Sequence, residues 1–354
     1  MTEESKTETT GAELTFPEFD DIKVSTRTFT ATTNLNIKID QLFNILPITP
    51  YKVVTKKRGR KKKGENTEPV NNVPMGSFVT IKYEGKIRGV ELKPKKVKSG
   101  KKRMWFRNSI TVVIILDKPI NFKVCRNGTF QMTGCKSIEH AQMCVKYVWE
   151  IMKDHTEVYG FTRGSRLEAL FIPSMRNIDF SLGFLVDREK LHKYILDNKK
   201  NFFSLLESSF GYTGVNIKLE LKKDIRTMEV KKLTYRVKKS SSTEESKETA
   251  DKPILGKWKE EWTTYEEYLN LLSEKERETK INSPRYVTFL VFHSGRSIMS
   301  GLTADFMRDY YYEFIEIIRD AYDKIEERLE PENSNEKAEL SLEEELAIME
   351  IQGK

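Results

Sequence analysis

Cys135, His140 and Cys144 carry metal-ligating side chains and lie close together, the last two four apart in a stretch with helical periodicity. Such a set could hold zinc, but a structural zinc site takes four ligands at recognisable spacing, and no fourth follows. A core cysteine and a rim histidine account for the same residues. The remaining cysteine, Cys125, and the other histidines, His155, His192 and His293, form no triad-like arrangement that spacing exposes. There is no phosphate-binding glycine loop, no HExxH helix and no nucleophile elbow. The chain therefore reads as non-enzymatic, with no metal and no other cofactor.

The other conspicuous chemistry is charge. Lys56–Lys63 reads KKRGRKKK and Lys93–Arg103 reads KPKKVKSGKKR. Blocks of like charge rarely fold alone, so these runs read as flexible arms for phosphates, as an import signal, or as solvated loops. Lys and Arg number 61 against 53 Asp and Glu, a net charge of +8 that favours an anionic partner, nucleic acid first. Hydrophobic residues make up 38% of the 354, enough to bury a core in one large or two ordinary domains. Three cysteines are too few and too odd for a disulfide framework, which points to a reducing, intracellular compartment. The polar, acidic N-terminus is no signal peptide, and the longest apolar run, Ile110–Leu116, is too short to span a bilayer, so no membrane is expected.

The elements that position these groups show an internal repeat. Phe122–Gly134 (FKVCRNGTFQMTG) aligns without a gap on Phe289–Gly301 (FLVFHSGRSIMSG). Each reads as a β-hairpin turning at a glycine, Gly128 or Gly295. Each leads into an amphipathic helix, capped by Ser137 in one copy and Thr303 in the other. Upstream, each copy reads as strand, short helix, strand: Val24–Thr32, Ile37–Leu46 and Phe78–Ile87, against Met175–Phe184, Asp187–Asp197 and Val215–Leu221. Strand Ile110–Leu116 reads as an addition to the first copy. The expected class is α+β, two units with helices on one face of an antiparallel sheet. The expected boundaries are a disordered tail at 1–19, copies at 20–160 and 161–330, a charged insertion at 222–253, and an acidic tail at 331–354.

Strand alternation then assigns faces. Phe289, Val291 and Met299 belong under the helices, and Leu290, Phe292, Ile298 and Ser300 on the other face. In the first hairpin the outward set is Lys123, Cys125, Gln131 and Thr133, which is more polar. A contiguous apolar sheet face left uncovered is a binding surface, unless a second protein layer covers it.

The duplicated hairpin resembles the one that each half of the TATA-box-binding protein carries ahead of a long helix, I-F-x-S-G-K-x-V-x-T-G-A-K. Met175-Arg176-Asn177-Ile178 is similar to that family's first-strand Q-N-M/I motif, and Tyr212–Lys218 (YTGVNIK) to its F-P-G-L-I-Y-R strand. The insertion-rich form is similar to the divergent members in large cytoplasmic DNA viruses. The resemblance implies a saddle: one curved sheet with helices on its convex side, binding A·T-rich double-stranded DNA in the minor groove and bending it with aromatic wedges. It implies wedge roles for Phe292 and Tyr212, with Phe210 competing, and for Phe78 in the first copy, where Cys125 replaces the other wedge. It implies groove reading by Asn177, Ser300 and Thr133 and a phosphate contact by Lys218. Transcription initiation, a transcription-factor-B-like partner and RNA polymerase follow from the family, although the loop acids by which it meets that partner are largely missing here and only Glu207 lies nearby. The implied location is the nucleus or a cytoplasmic viral factory, with packaging in the virion. Two other readings stay open: a non-selective nucleic-acid-binding or genome-packaging protein, and a structural scaffold whose sheet binds protein.

Overall fold

The computed structural model describes residues 14–52, 73–92, 106–199, 201–206, 214–236 and 258–327. Both basic runs, Tyr212, Phe210, Glu207 and the acidic tail fall outside them.

The first half comprises β1 (Val24–Thr33), β2 (Leu35–Ile37), α1 (Ile39–Ile45), β3 (Ser77–Tyr83), β4 (Lys86–Gly89), β5 (Ser109–Ile115), β6 (Pro119–Cys125), β7 (Thr129–Cys135), α2 (Ile138–Met152) and β8 (Tyr159–Phe161). The second comprises β9 (Glu168–Ser181), α3 (Arg188–Asn198), β10 (Phe202–Leu206), β11 (Gly214–Glu220), β12 (Glu229–Tyr235), β13 (Trp258–Thr264), α4 (Tyr265–Asn270), α5 (Glu274–Asn282), β14 (Tyr286–Phe292), β15 (Arg296–Gly301) and α6 (Arg308–Ile325). The fold is α+β. One antiparallel sheet runs β10-β11-β14-β15-β9-β1-β7-β6-β5-β3-β4, with β12 and β13 off its path and β2–β8 as a separate pair. Its order is mirrored about the β9–β1 seam, β15-β14-β11-β10 on one side answering β7-β6-β5-β3 on the other.

Backbone contacts repeat with the same offsets. Thr33 N donates to Gly128 O and Leu182 N to Gly295 O; Ile37 N donates to Arg126 O and Val186 N to His293 O; Lys38 N donates to Val158 O and Asp187 N to Ile325 O. The turn glycines show why. Gly128 and Gly295 have φ of +72° and +74°, and a Cβ would lie 2.3 Å from Leu35 O or 2.1 Å from Phe184 O. Only glycine fits both the left-handed conformation and the close backbone approach.

Each half has its own core on the helix face. In the first, Phe122, Val124, Phe130 and Met132 pack with Ala141, Cys144, Val145 and Val148 of α2. In the second, Phe289, Val291 and Met299 pack with Phe314, Ile315 and Ile318 of α6, and the Phe289 and Phe314 rings stack at 4.1 Å.

Several expectations change. The strand expected at Phe78–Ile87 is a hairpin, β3–β4, because Glu84 (φ 44°) and Gly85 (φ 87°) form a tight turn with positive φ at both central residues. The counterpart of β11 is β5, not β3: Ser109 pairs Cys125 where Gly214 pairs Phe292. Strand β5 is thus no addition, and β3 answers β10. Thr303 does not cap α6, which starts at Arg308 after a turn in which Met307 N and Arg308 N both donate to Ala304 O. The tail reading of 1–19 reaches too far, since Phe19 is buried against Tyr311 and the Tyr311 hydroxyl donates to Pro17 O at 2.5 Å.

The charged stretch 222–253 contains β12, which pairs the start of β9. Its Val230 and Leu233 are fully buried, on opposite faces. On the helix face Lys146, 1% exposed, meets Glu260 of β13 at 2.8 Å, and Lys231 meets the same carboxylate at 2.8 Å. Burial alone would raise the pKa of Glu260. Hydrogen bonds from Lys146 and Lys231 lead the effects that outweigh it and bring the group from its ordinary 4.5 to about 2. A carboxylate depressed on folding stabilises above its unfolded pKa and loses that contribution as pH falls through the folded one. Stability is therefore expected to drop between about pH 5 and pH 2 in part through this group. Glu260→Gln, which leaves Lys146 buried without its anion, should cost on the order of 2 kcal/mol at pH 7 and flatten that slope, read by urea denaturation across pH.

Candidate functional site

The sheet face away from α2 and α6 is built by strict alternation. In the second half Leu290 pairs Ile298, Thr288 pairs Ser300, and Asn216 and Lys218 follow on β11. Phe203 and Leu205 of β10 extend the face, 57% and 55% exposed. Gly214, opposite Phe292, leaves room for the neighbouring side chain: a Cβ there would come 2.7 Å from Leu290 Cδ1. Leu290, Phe292, Ile298, Phe203 and Leu205 thus share one apolar face. Asn177 lies at the seam, paired with Ser300 and with Thr26 of β1. Its Oδ1 is buried with no hydrogen-bond partner in the protein. Asp179 also sits on this face, beside Ile298, and accepts from the Ser25 hydroxyl at 3.3 Å.

The first half differs in chemistry. Lys123 pairs Gln131 and Thr111, and Asn121 pairs Thr133 and Val113. Along β1, Thr26, Thr28, Thr30 and Thr32 alternate with Arg27, Phe29 and Ala31 and form a hydroxyl stripe. Cys125 stands where the second half has Phe292. Its thiol is half-buried, and burial raises its pKa against the opposing charge of Lys123, so it is neutral at physiological pH.

Phe78 is corrected. It is 2% exposed and packs in the first core, beside Ile114. A bulge between Phe78 and Thr80 turns its side chain to the helix face, so it cannot be an outward wedge. The aromatic that the sequence reading missed is Phe106, 69% exposed, with the Lys123 ammonium 3.9 Å from its ring centre. It lies three residues before Ser109, whereas Tyr212 lies two before Gly214. Matching β5 to β11 would have pointed to it.

A second finding limits the face. Leu170 and Ile172 of β9 point away from α2, yet they are buried against Tyr265, Tyr268 and Leu269 of α4. Tyr268 hydrogen-bonds Thr32 on β1. Helices α1, α2, α3 and α6 lie on one side, as expected, but α4 lies on the other and covers one end of the β1–β9 seam. The cause is the apolar set Ile225, Met228 and Val230, which needs a partner layer.

Cys135, His140 and Cys144 do not group as a metal site. Cys135 and Cys144 are buried, and burial raises both thiol pKa values. His140 Nε2 lies 3.0 Å from Asp117, with its pKa lowered by burial against the pull of that carboxylate. Among the described residues no group of three or more His, Cys, Asp or Glu is placed to hold a metal. No described helix is long and apolar enough to cross a membrane.

A protein of Acanthamoeba polyphaga mimivirus described as TATA-box-binding protein-like is 32% identical over 33% of this chain and 39% of its own. This chain is similar to a viral TATA-box-binding-protein-like protein. An uncharacterized protein, 335L, of Invertebrate iridescent virus 6 is 26% identical over 62% of each chain. The matches thus span about three fifths of one relative and two fifths of the TATA-box-binding-protein-like one. Among solved structures, the Methanococcus jannaschii TBP is matched with a TM-score of 0.39 and 13% identity, over 86% of this chain and 99% of that one. No family model matches the chain.

Proposed function

We propose that the chain is two diverged copies of one unit that bind double-stranded DNA in the minor groove and bend it, as a TATA-box-binding-protein-like factor in transcription initiation. The observation that carries this reading is one apolar face, with Leu290, Phe292 and Ile298 half-buried and Phe203 and Leu205 exposed, on a sheet whose other face is filled by α2, α3 and α6. Phe292 acts as the wedge, replacing base stacking lost at a kink. Leu290 and Ile298 flank it, Ser300, Asn177 and Thr133 meet A·T edges, and Lys218, Lys123 and Gln131 meet backbone or base polar atoms. Tyr212 keeps its sequence-based wedge role. A transcription-factor-B-like protein and RNA polymerase are the protein partners, in the nucleus or a cytoplasmic viral factory. The mimivirus relative's description supports this direction.

The polar first half and the covered end of the seam favour a second reading, non-selective binding in genome packaging. Titration of A·T-rich and G·C-rich duplexes at fixed, stated salt separates the two. The main reading expects at least tenfold tighter binding to the A·T site; equal affinities would sink it in favour of packaging. The basic runs at 56–63 and 93–103 should add affinity without selectivity. Deleting either should reduce the slope of log affinity against log salt by about 0.9 for each phosphate that the run neutralises. An unchanged slope would assign the runs another role.

A further inference from the structure

Where Phe292 occupies the second half, Cys125 leaves a cleft of about 670 Å³ in the first. Its walls include Phe106, Lys123, Arg126, Asn108, Asn127 and Gln131. No Asp or Glu lines it, and among the described residues neither Lys123 nor Arg126 has a carboxylate partner. Phe106 offers a flat apolar surface: one side of the ring carries the Lys123 ammonium, and the residue is still 69% exposed. The position is held from below, because Arg126 N donates to Asn108 O at 3.0 Å and joins the segment after Phe106 to the hairpin turn.

This combination has a specific chemical use. An aromatic ring stacks on any base, side-chain amides supply both donors and acceptors for a base edge, and cations take the adjoining phosphates. A base inside a duplex cannot reach such a ring, so its occupant is unpaired. We propose that this cleft binds one unpaired nucleobase of a nucleic-acid strand, stacked on Phe106, with Gln131 and Asn108 at its edge and Lys123 and Arg126 on its phosphates. The two ends of the site then do different work: the Phe292 end distorts paired DNA, and the Phe106 end holds a base that has left the stack. The inference rests on the DNA-binding reading and adds a polarity to it.

The test uses the full chain and fluorescence anisotropy with four probes: an A·T-rich duplex, the same duplex with a single-thymine bulge, a single-stranded deoxyuridine oligomer and a uridine oligomer. Phe106→Ala should weaken binding to the bulged duplex and to the oligomers about five- to a hundredfold, the range of one base–aromatic stack, and change the paired duplex less than twofold. Phe292→Ala should weaken binding to both duplexes and change the single-stranded oligomers less than twofold. Phe106 is on the surface, so its loss does not threaten folding. A deoxyuridine oligomer bound as the uridine one is makes the cleft blind to the sugar; a loss confined to one of them assigns the strand as DNA or RNA. Equal losses on paired and bulged duplex, or no loss on any probe, overturn the cleft. Single-strand binding lost with Phe106→Ala in a protein that ignores duplex DNA would keep the cleft and end the duplex reading.

Discussion

Phe292→Ala is expected to reduce the DNA bend and to weaken binding by about 1–3 kcal/mol, the worth of an aromatic–base stack. Unstacking one base step costs a few kcal/mol, so a wedge must return most of it. Phe292 can do so because it stands on the open face at the hairpin's end, opposite Gly214. Cys125→Ala should do far less, since the thiol is too small to replace the stacking lost at a kink. Two fluorescent probes flanking the site would report end-to-end distance for each variant. Equal losses of bending from both substitutions would show that the halves act alike and would remove the asymmetry on which this account depends.

Gly295→Ala should destabilise the protein by at least about 3 kcal/mol, combining a left-handed backbone with steric overlap. Its Cβ would lie 2.1 Å from Phe184 O, and the carbonyl cannot retreat because the same turn accepts from Leu182 N at 2.9 Å through Gly295 O. Gly128→Ala should behave alike, with Leu35 O as the obstacle. Gly134→Ala is the control. Its φ is +75°, but nothing lies within 4 Å of the added carbon, so only the strain of about 1 kcal/mol remains. Urea denaturation of the three variants would rank them. A Gly134 variant as damaged as the Gly295 variant would mean that backbone strain alone, and not the turn's packing on the preceding strand, holds the hairpins in place.

The hairpins were legible because two signals coincide there, period-two alternation and a glycine turn. The faces of Phe122, Lys123, Phe289 and Leu290 follow from parity alone. Phe78 was not legible. A bulge breaks parity between Phe78 and Thr80, and a residue moved by one position changes face. The wrong partner for β11 compounded this, because β10 is only five residues long and carries too little pattern to be recognised. The layer formed by β12, β13 and α4 was hidden by composition. Its apolar residues, Val230, Leu233, Tyr265, Tyr268 and Leu269, are spread among lysines and glutamates that pair with one another, such as Lys232 with Glu267 at 2.6 Å. The cleft at Phe106 needed three dimensions, since its ring, the cation on it and the turn amides come from separate segments.

The central claim is that the open face reads duplex DNA from the minor groove. Inosine·cytosine pairs test it most directly. They lack the guanine N2 amino group, so their minor groove resembles A·T while their major groove resembles G·C. Binding of the full chain to an A·T-rich duplex, its inosine·cytosine replacement and its G·C replacement should be measured at one salt concentration. The account predicts affinities for the first two within about threefold and at least tenfold weaker binding to the third, since each unfavourable base pair costs about 1–3 kcal/mol. Inosine·cytosine bound as weakly as G·C would place the contacts in the major groove and contradict it.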